Sequence, residues 1–156
     1  MATNLSRLIL PENIALDLVV ADKKQLFDEV ALLLAAQCSL SAESISQCLL
    51  DREQLASTGL GRGVAVPHGR MPGLNAPVVS FVRLAEPLPF DAPDDLPVNL
   101  MVVFLMPTNV TQRHLEILSE VAELFSDENI RGVLTLEKNP AVIHDKIARW
   151  KPAYVK

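Results

Sequence analysis

The chain has 156 residues, 49% hydrophobic and 21% charged, with a formal net charge of −5. That length suits one domain, taken as residues 1–156, with a substantial core of its own, and the balance excludes a disordered chain. The acidic charge without a basic tract argues against nucleic acid as a partner and is compatible with a partner that presents a basic surface.

The first residues, Met1 to Arg7, lack the long apolar region of a signal peptide, and no apolar run is long enough to span a bilayer. A cytoplasmic protein without membrane insertion is expected. Ile14 to Leu18 reads as a first strand after Pro11. Asp22 caps a helix to about Gln37, with Leu26, Phe27, Val30, Leu33 and Leu34 on one face. Ser41 caps a second helix to about Glu53, with Ile45, Cys48 and Leu49 inward and Arg52 near its C-terminal end, where a cation is favourable. Cys38 and Cys48, the only cysteines, are expected as buried free thiols.

A glycine-rich stretch follows, and Val64 to Val66 reads as a strand running into Pro67-His68. Pro72-Gly73 is a turn and Val78 to Leu84 an apolar strand. Pro87-Leu88-Pro89 and Pro93 to Pro97 read as loop. Val98 to Met106 is apolar nearly throughout, as in a strand buried on both faces, and Pro107 ends it. Thr111 or Asn109 caps the next helix, whose inner face is expected to be Leu115, Leu118, Val121, Ala122 and Phe125. A short helix covers Glu128 to Leu136. Asn139-Pro140 starts a last one, with Val142, Ile143, Ile147 and Trp150 inward. Strands and helices alternate, so the fold class is α/β.

The stretch from Arg52 to Arg70 sets one imidazole, His68, among four glycines, three arginines and two hydroxyls. Glycines let a backbone approach a ligand closely, and amide N–H groups with arginine forks suit a phosphate. A neutral imidazole is a nucleophile. Together these suggest a histidine that accepts and hands on a phosphoryl group; the bland alternative is a turn histidine. His114, at the start of a helix, is either a second imidazole at that group or a surface histidine. Arg52 is either a neutralising cation or a solvated helix-end arginine. Ser57 and Thr58 either donate to phosphoryl oxygens or stabilise a turn. Arg62 and Arg70 either touch phosphate or a partner's acidic rim or, as the default, are solvated, and His144 is read as a surface residue. Two cysteines without clustered histidines do not make a zinc site; no metal and no cofactor is expected. The glycines fit neither a P-loop nor a dinucleotide fingerprint.

At Arg52-Glu53, Ser57 to Gly61, Gly63 to Arg70 and His114-Leu115 the chain resembles the IIA domains of the phosphoenolpyruvate-dependent phosphotransferase system, mannitol/fructose class. It is most like their stand-alone, nitrogen-related branch, whose loop Phe90 to Val98 is similar. The likeness runs from about Leu8 to Trp150. It implies a single domain with a mixed β-sheet flanked by helices. It implies phosphorylation of His68 by an HPr-type phosphocarrier, assisted by Arg52 and His114, with Ser57, Thr58 and Gly59 as the expected phosphate-binding residues. The carrier is expected to dock on an apolar ring around His68 with an acidic rim. The nitrogen branch implies regulation of target proteins, including potassium-transport and sensor proteins, according to phosphorylation state. The alternative is a separate sugar-specific, fructose/mannitol-type component that passes the group to a IIB domain. Leu96, where a small or polar residue is common, and Gln54-Leu55-Ala56 depart from the family pattern.

Overall fold

The structure is a computed structural model and describes residues 4–151. Among these, α1 (Asn4–Leu8) and a 3-10 turn (Pro11–Asn13) lead into β1 (Ile14–Leu18), α2 (Lys23–Ala35) and α3 (Ala42–Leu55). Then come β2 (Gly59–Gly61), β3 (Val64–Ala65), β4 (His68–Met71), β5 (Val78–Leu88), β6 (Val98–Pro107), α4 (Gln112–Ser126), α5 (Glu128–Leu136) and α6 (Pro140–Arg149). The helix starts follow local chemistry. Asp22, Ser41, Thr111, Asp127 and Asn139 each accept an amide N–H of the first turn that would otherwise lack an intrahelical partner.

The strands form one mixed sheet in the order β1-β5-β6-β3-β2, with β4 also on β6. β5 and β6, antiparallel, are its centre, and β1 runs parallel to β5. Helices cover both faces. Leu26, Phe27, Leu34, Ile45 and Leu49 of α2 and α3 pack on one side with Met101 and Val103. Ile117, Val121, Leu124 and Phe125 of α4, with Ile143 and Ile147 of α6, pack on the other with Val102 and Phe104. The fold is therefore a single-domain, mixed-sheet α/β architecture, as expected.

β3 and β4 are one strand line interrupted at Pro67. Both run parallel to β6 in unbroken register, Val64 opposite Leu100 and His68 opposite Phe104. Proline has no N–H for the ladder, but its carbonyl still accepts from Phe104 N–H at 2.9 Å. Side chains alternate along such a line. Val64 and Val66 belong to the α4-side core and Ala65 and Met71 to the α3-side core, so His68 shares the α4-side face.

Four expectations are corrected. The glycine-rich stretch, expected as a loop, is a β-hairpin. Arg62 and Gly63 turn between β2 and β3 with φ of 59° and 81°, the primed turn that matches strand twist. β5 continues through Pro87 and Leu88, past a register shift between Arg83 and Leu88 that accommodates the proline. The buried face of α4 is His114, Ile117, Val121, Leu124 and Phe125, while Leu115 and Ala122 are exposed and Leu118 half-buried. The cysteines are free, but half-buried rather than buried.

Candidate functional site

His68 opens β4 beside the C-terminal end of α3 and the first turns of α4. It lines two adjoining clefts. The larger, of about 810 Å³, is walled by Cys48, Asp51, Arg52 and Leu55 of α3, by Gly69, Arg70 and Met71 of β4, and by Leu115 and Leu118 of α4. The smaller, of about 230 Å³, adds Ser57, Thr58, Gly59, Leu60, Val66 and Ala122, with Arg52, His68 and Leu118 shared. A groove of about 880 Å³ on α5, lined by residues such as Glu128, Val133 and Leu136, holds no histidine, cysteine or arginine.

The orientation of the His68 ring follows from the broken strand. Val66 turns its N–H away from β6, to the Thr58 carbonyl at 3.0 Å. Its own carbonyl lies on that same outer side, where β2 begins only at Gly59, opposite Ala65. The free carbonyl meets His68 Nδ1 at 2.7 Å. A carbonyl only accepts, so Nδ1 carries the proton and the neutral ring leaves Nε2 as a lone-pair nitrogen. Burial holds the His68 pKa below its ordinary value. The Val66 bond and Glu53 oppose this, while Arg52 and Arg70 add to it.

Arg52 donates one N–H to the Ala56 carbonyl at 2.9 Å. Its fork holds further N–H donors, and it lines both clefts with His68. His114 is 9% exposed, hence buried rather than a surface residue. Its Nδ1 accepts the Thr111 N–H at 3.1 Å, and the Thr111 hydroxyl accepts the His114 N–H in return. Neutral His114 therefore carries its proton on Nε2, the complement of His68. Its neighbour Leu115 lines the larger cleft, while His114 itself lines neither cleft. His144 is half-buried on α6.

Ser57, Thr58 and Gly59 do line the smaller cleft, but four of their donors are engaged internally. Thr58 gives its N–H and its hydroxyl to Glu53. Gly59 N–H donates to Ser57 Oγ at 3.1 Å, and Ser57 donates to the Phe90 carbonyl. Glu53 was missed as a site residue. It is 7% exposed and also pairs with Lys23 at 3.0 Å. Lys23 in turn donates to the Phe90 carbonyl at 3.1 Å and sits over the Phe90 ring. The spacing Ile45, Leu49, Glu53 was the available signal, a carboxylate continuing an apolar stripe at four-residue intervals.

An apolar surface surrounds the clefts. Leu55, Leu60 and Leu115 are 82%, 47% and 47% exposed. The expected acidic rim is not what the cleft walls carry: Arg52 and Arg70 stand there against a single carboxylate, Asp51. The acidic residues Asp91, Asp94 and Asp95 lie on the loop between β5 and β6, where Asp94 accepts from the hairpin turn at Arg62 N–H. Among the described residues, no group of His, Cys, Asp and Glu could hold a metal ion, and no helix is long and apolar enough to cross a membrane.

Residues 7–150 match the family model described as phosphoenolpyruvate-dependent sugar phosphotransferase system, EIIA 2. The chain is 34% identical over 131 residues to a nitrogen regulatory protein of Pseudomonas aeruginosa, covering 83% of this chain and 85% of that one. Its structure is similar to that of the nitrogen regulatory protein IIA-Ntr from Neisseria meningitidis, with a TM-score of 0.89, 41% identity, and 93% and 99% of the two chains covered. IIA mannitol from Escherichia coli shares the fold, with a TM-score of 0.69 at 24% identity over 85% of this chain and 95% of that one.

Proposed function

The chain belongs to the phosphoenolpyruvate-dependent sugar phosphotransferase system EIIA 2 family, and from that premise we propose that it is a nitrogen-related IIA protein whose His68 takes a phosphoryl group from an HPr-type phosphocarrier in the cytoplasm. The observation that carries this reading is the 2.7 Å bond from His68 Nδ1 to Val66, which leaves Nε2 free for attack. Nε2 forms the new N–P bond as the bond to the carrier's imidazole breaks, and the carrier nitrogen leaves with the electron pair. Attack places positive charge on the His68 ring, and the Val66 carbonyl on Nδ1–H stabilises that charge. The transferring group spreads negative charge over its outer oxygens, and Arg52, which lines both clefts with His68, supplies a cation there. His114, its proton on Nε2, serves as a second donor once carrier and phosphoryl group fill the cleft. The apolar surface of Leu55, Leu60 and Leu115 is the docking ring for the carrier.

The likeness to nitrogen regulatory proteins supports a mainly regulatory output. A phosphoryl group adds nearly two negative charges to a neutral ring. A target that buries the bare cleft must pair that charge or desolvate it at a cost of several kcal/mol. Targets, with potassium-transport and sensor proteins as candidates, are thereby released or recruited without a large rearrangement.

The test is incubation with phosphoenolpyruvate, enzyme I and an HPr-type carrier, followed by mapping of acid-labile phosphate. Label on His68 and none on His68→Ala is expected; full labelling of that variant overturns the reading. Equal affinity of every captured target for both phosphorylation states, with efficient transfer to a sugar-specific IIB domain, replaces the regulatory output with the transport one.

A further inference from the structure

The loop from Phe90 to Val98 is tied to the wall of the His68 cleft at two places and to the hairpin turn at a third. The Phe90 carbonyl accepts from Ser57 Oγ and from Lys23 Nζ. The Gly59 backbone lies so close to Ala92 that a Cβ on it would come within 2.8 Å of the alanine Cβ. Asp94 accepts the Arg62 N–H at 2.7 Å and the Leu96 N–H at 3.1 Å. Between these ties Asp91 and Asp95 hold φ of 54° and 59°. L-residues are uncommon in that left-handed region, aspartate less so than most, and the ties above help to hold the loop in this conformation.

One anchor is shared with the cleft. Ser57 has a single hydroxyl proton, spent on the Phe90 carbonyl, while its oxygen accepts the Gly59 N–H. Ser57, Gly59, Arg52 and His68 all line the smaller cleft. The neighbouring Thr58 donors are held by the buried Glu53 carboxylate, itself paired with Lys23, and such charge-assisted bonds are about twice as strong as neutral ones. The Ser57 proton is held only by a neutral carbonyl. An anion arriving in the cleft draws that proton before it draws those of Thr58.

Resting on the phosphoacceptor reading above, we propose that Ser57 couples the cleft to the Phe90–Val98 loop: a phosphoryl group on His68 takes the Ser57 hydroxyl, the bond to the Phe90 carbonyl is released, and the loop shifts. The loop carries Asp91, Asp94, Asp95 and a half-exposed Leu96. Phosphorylation is thus expressed as a change of shape on an acidic surface that does not itself line the cleft. Ser57 is a positioning residue here, not the phosphoryl acceptor.

Amide resonances of Asp91, Asp94, Asp95 and Leu96 test this, with phosphate occupancy read separately by intact mass. Phosphorylation of the native protein should move all four. Unphosphorylated Ser57→Ala should show them already displaced in the same direction, a readout that needs no phosphorylation of the variant. Phosphorylating Ser57→Ala should then move them less than half as far as in the native protein. Ser57→Thr, which keeps a hydroxyl, should restore the native response. Native protein carrying phosphate with the loop resonances unmoved overturns the coupling, as does a full loop response in Ser57→Ala. A native protein that takes no phosphate overturns the functional reading itself.

Discussion

His68 Nδ1 lies 2.7 Å from the carbonyl oxygen of Val66, two residues back along the same interrupted strand. Pro67, which cannot donate to the ladder, separates the two and leaves the register on β6 intact. The bond fixes the ring and its tautomer. Burial, then Arg52 and Arg70, hold the His68 pKa below 6.5, with the Val66 bond and Glu53 acting the other way. The nucleophilic form therefore persists to lower pH than in a free histidine. An NMR titration of the His68 ring should give a midpoint below 6.5, and Arg52→Ala should raise it. The unfolded chain binds the proton first, so this contribution to stability is complete above the unfolded pKa and is lost as pH falls through the folded one. A midpoint above the ordinary histidine value contradicts this account.

Arg52→Ala should slow phosphoryl transfer roughly ten- to a thousand-fold, the range for losing one transition-state donor, while the far-ultraviolet circular dichroism stays native. His114 needs a subtler substitution because its Nδ1 accepts the Thr111 N–H. Glutamate keeps that reach, as in a common capping box, and removes the donor. His114→Glu should melt like the native protein and transfer slowly. Transfer at the native rate would confine His114 to helix capping.

Glu53→Ala should cost about 1–3 kcal/mol, the typical penalty for leaving a buried donor without its acceptor. It leaves the Lys23 ammonium and both Thr58 donors without their carboxylate. Urea unfolding measures this, and Glu53→Gln should lose less. A change below about 0.5 kcal/mol, ordinary for a surface site, would show that the network contributes little.

A Cβ on Gly69 would fall 2.5 Å from Cys48 Sγ. Gly69→Ala should therefore destabilise by about 1–3 kcal/mol, as overpacking does, and push α3 from β4 at the cleft. Adding Cys48→Ala should recover much of the loss. A double-mutant cycle with additive effects rejects this contact as the cause.

Leu55 is 82% exposed beside the cleft. Leu55→Asp should leave stability within about 0.5 kcal/mol and weaken binding of the HPr-type carrier at least tenfold. Titration calorimetry that finds unchanged affinity places the docking ring elsewhere.

The sequence by itself determined the features governed by near neighbours. Asp22, Ser41, Thr111 and Asn139 mark helix starts because a cap reaches only two or three residues, and α5 begins and ends where its pattern does. The unbroken apolar run of β6 announced a central strand. The residue types around His68 announced an anion site, and the family likeness named its chemistry. Tertiary structure decided the rest. The phase of α4 was misread because Leu115, Leu118 and Ala122 are apolar for the cleft and not for the core, and hydrophobicity alone does not say which surface a side chain serves. The glycines read as a loop because positive φ does not by itself distinguish a loop from a hairpin turn. Glu53 went unseen because its partners, Lys23 and Thr58, lie on other segments. The tautomer of His68 depends on where one backbone carbonyl points, and that direction exists only once β3 and β4 have aligned on β6.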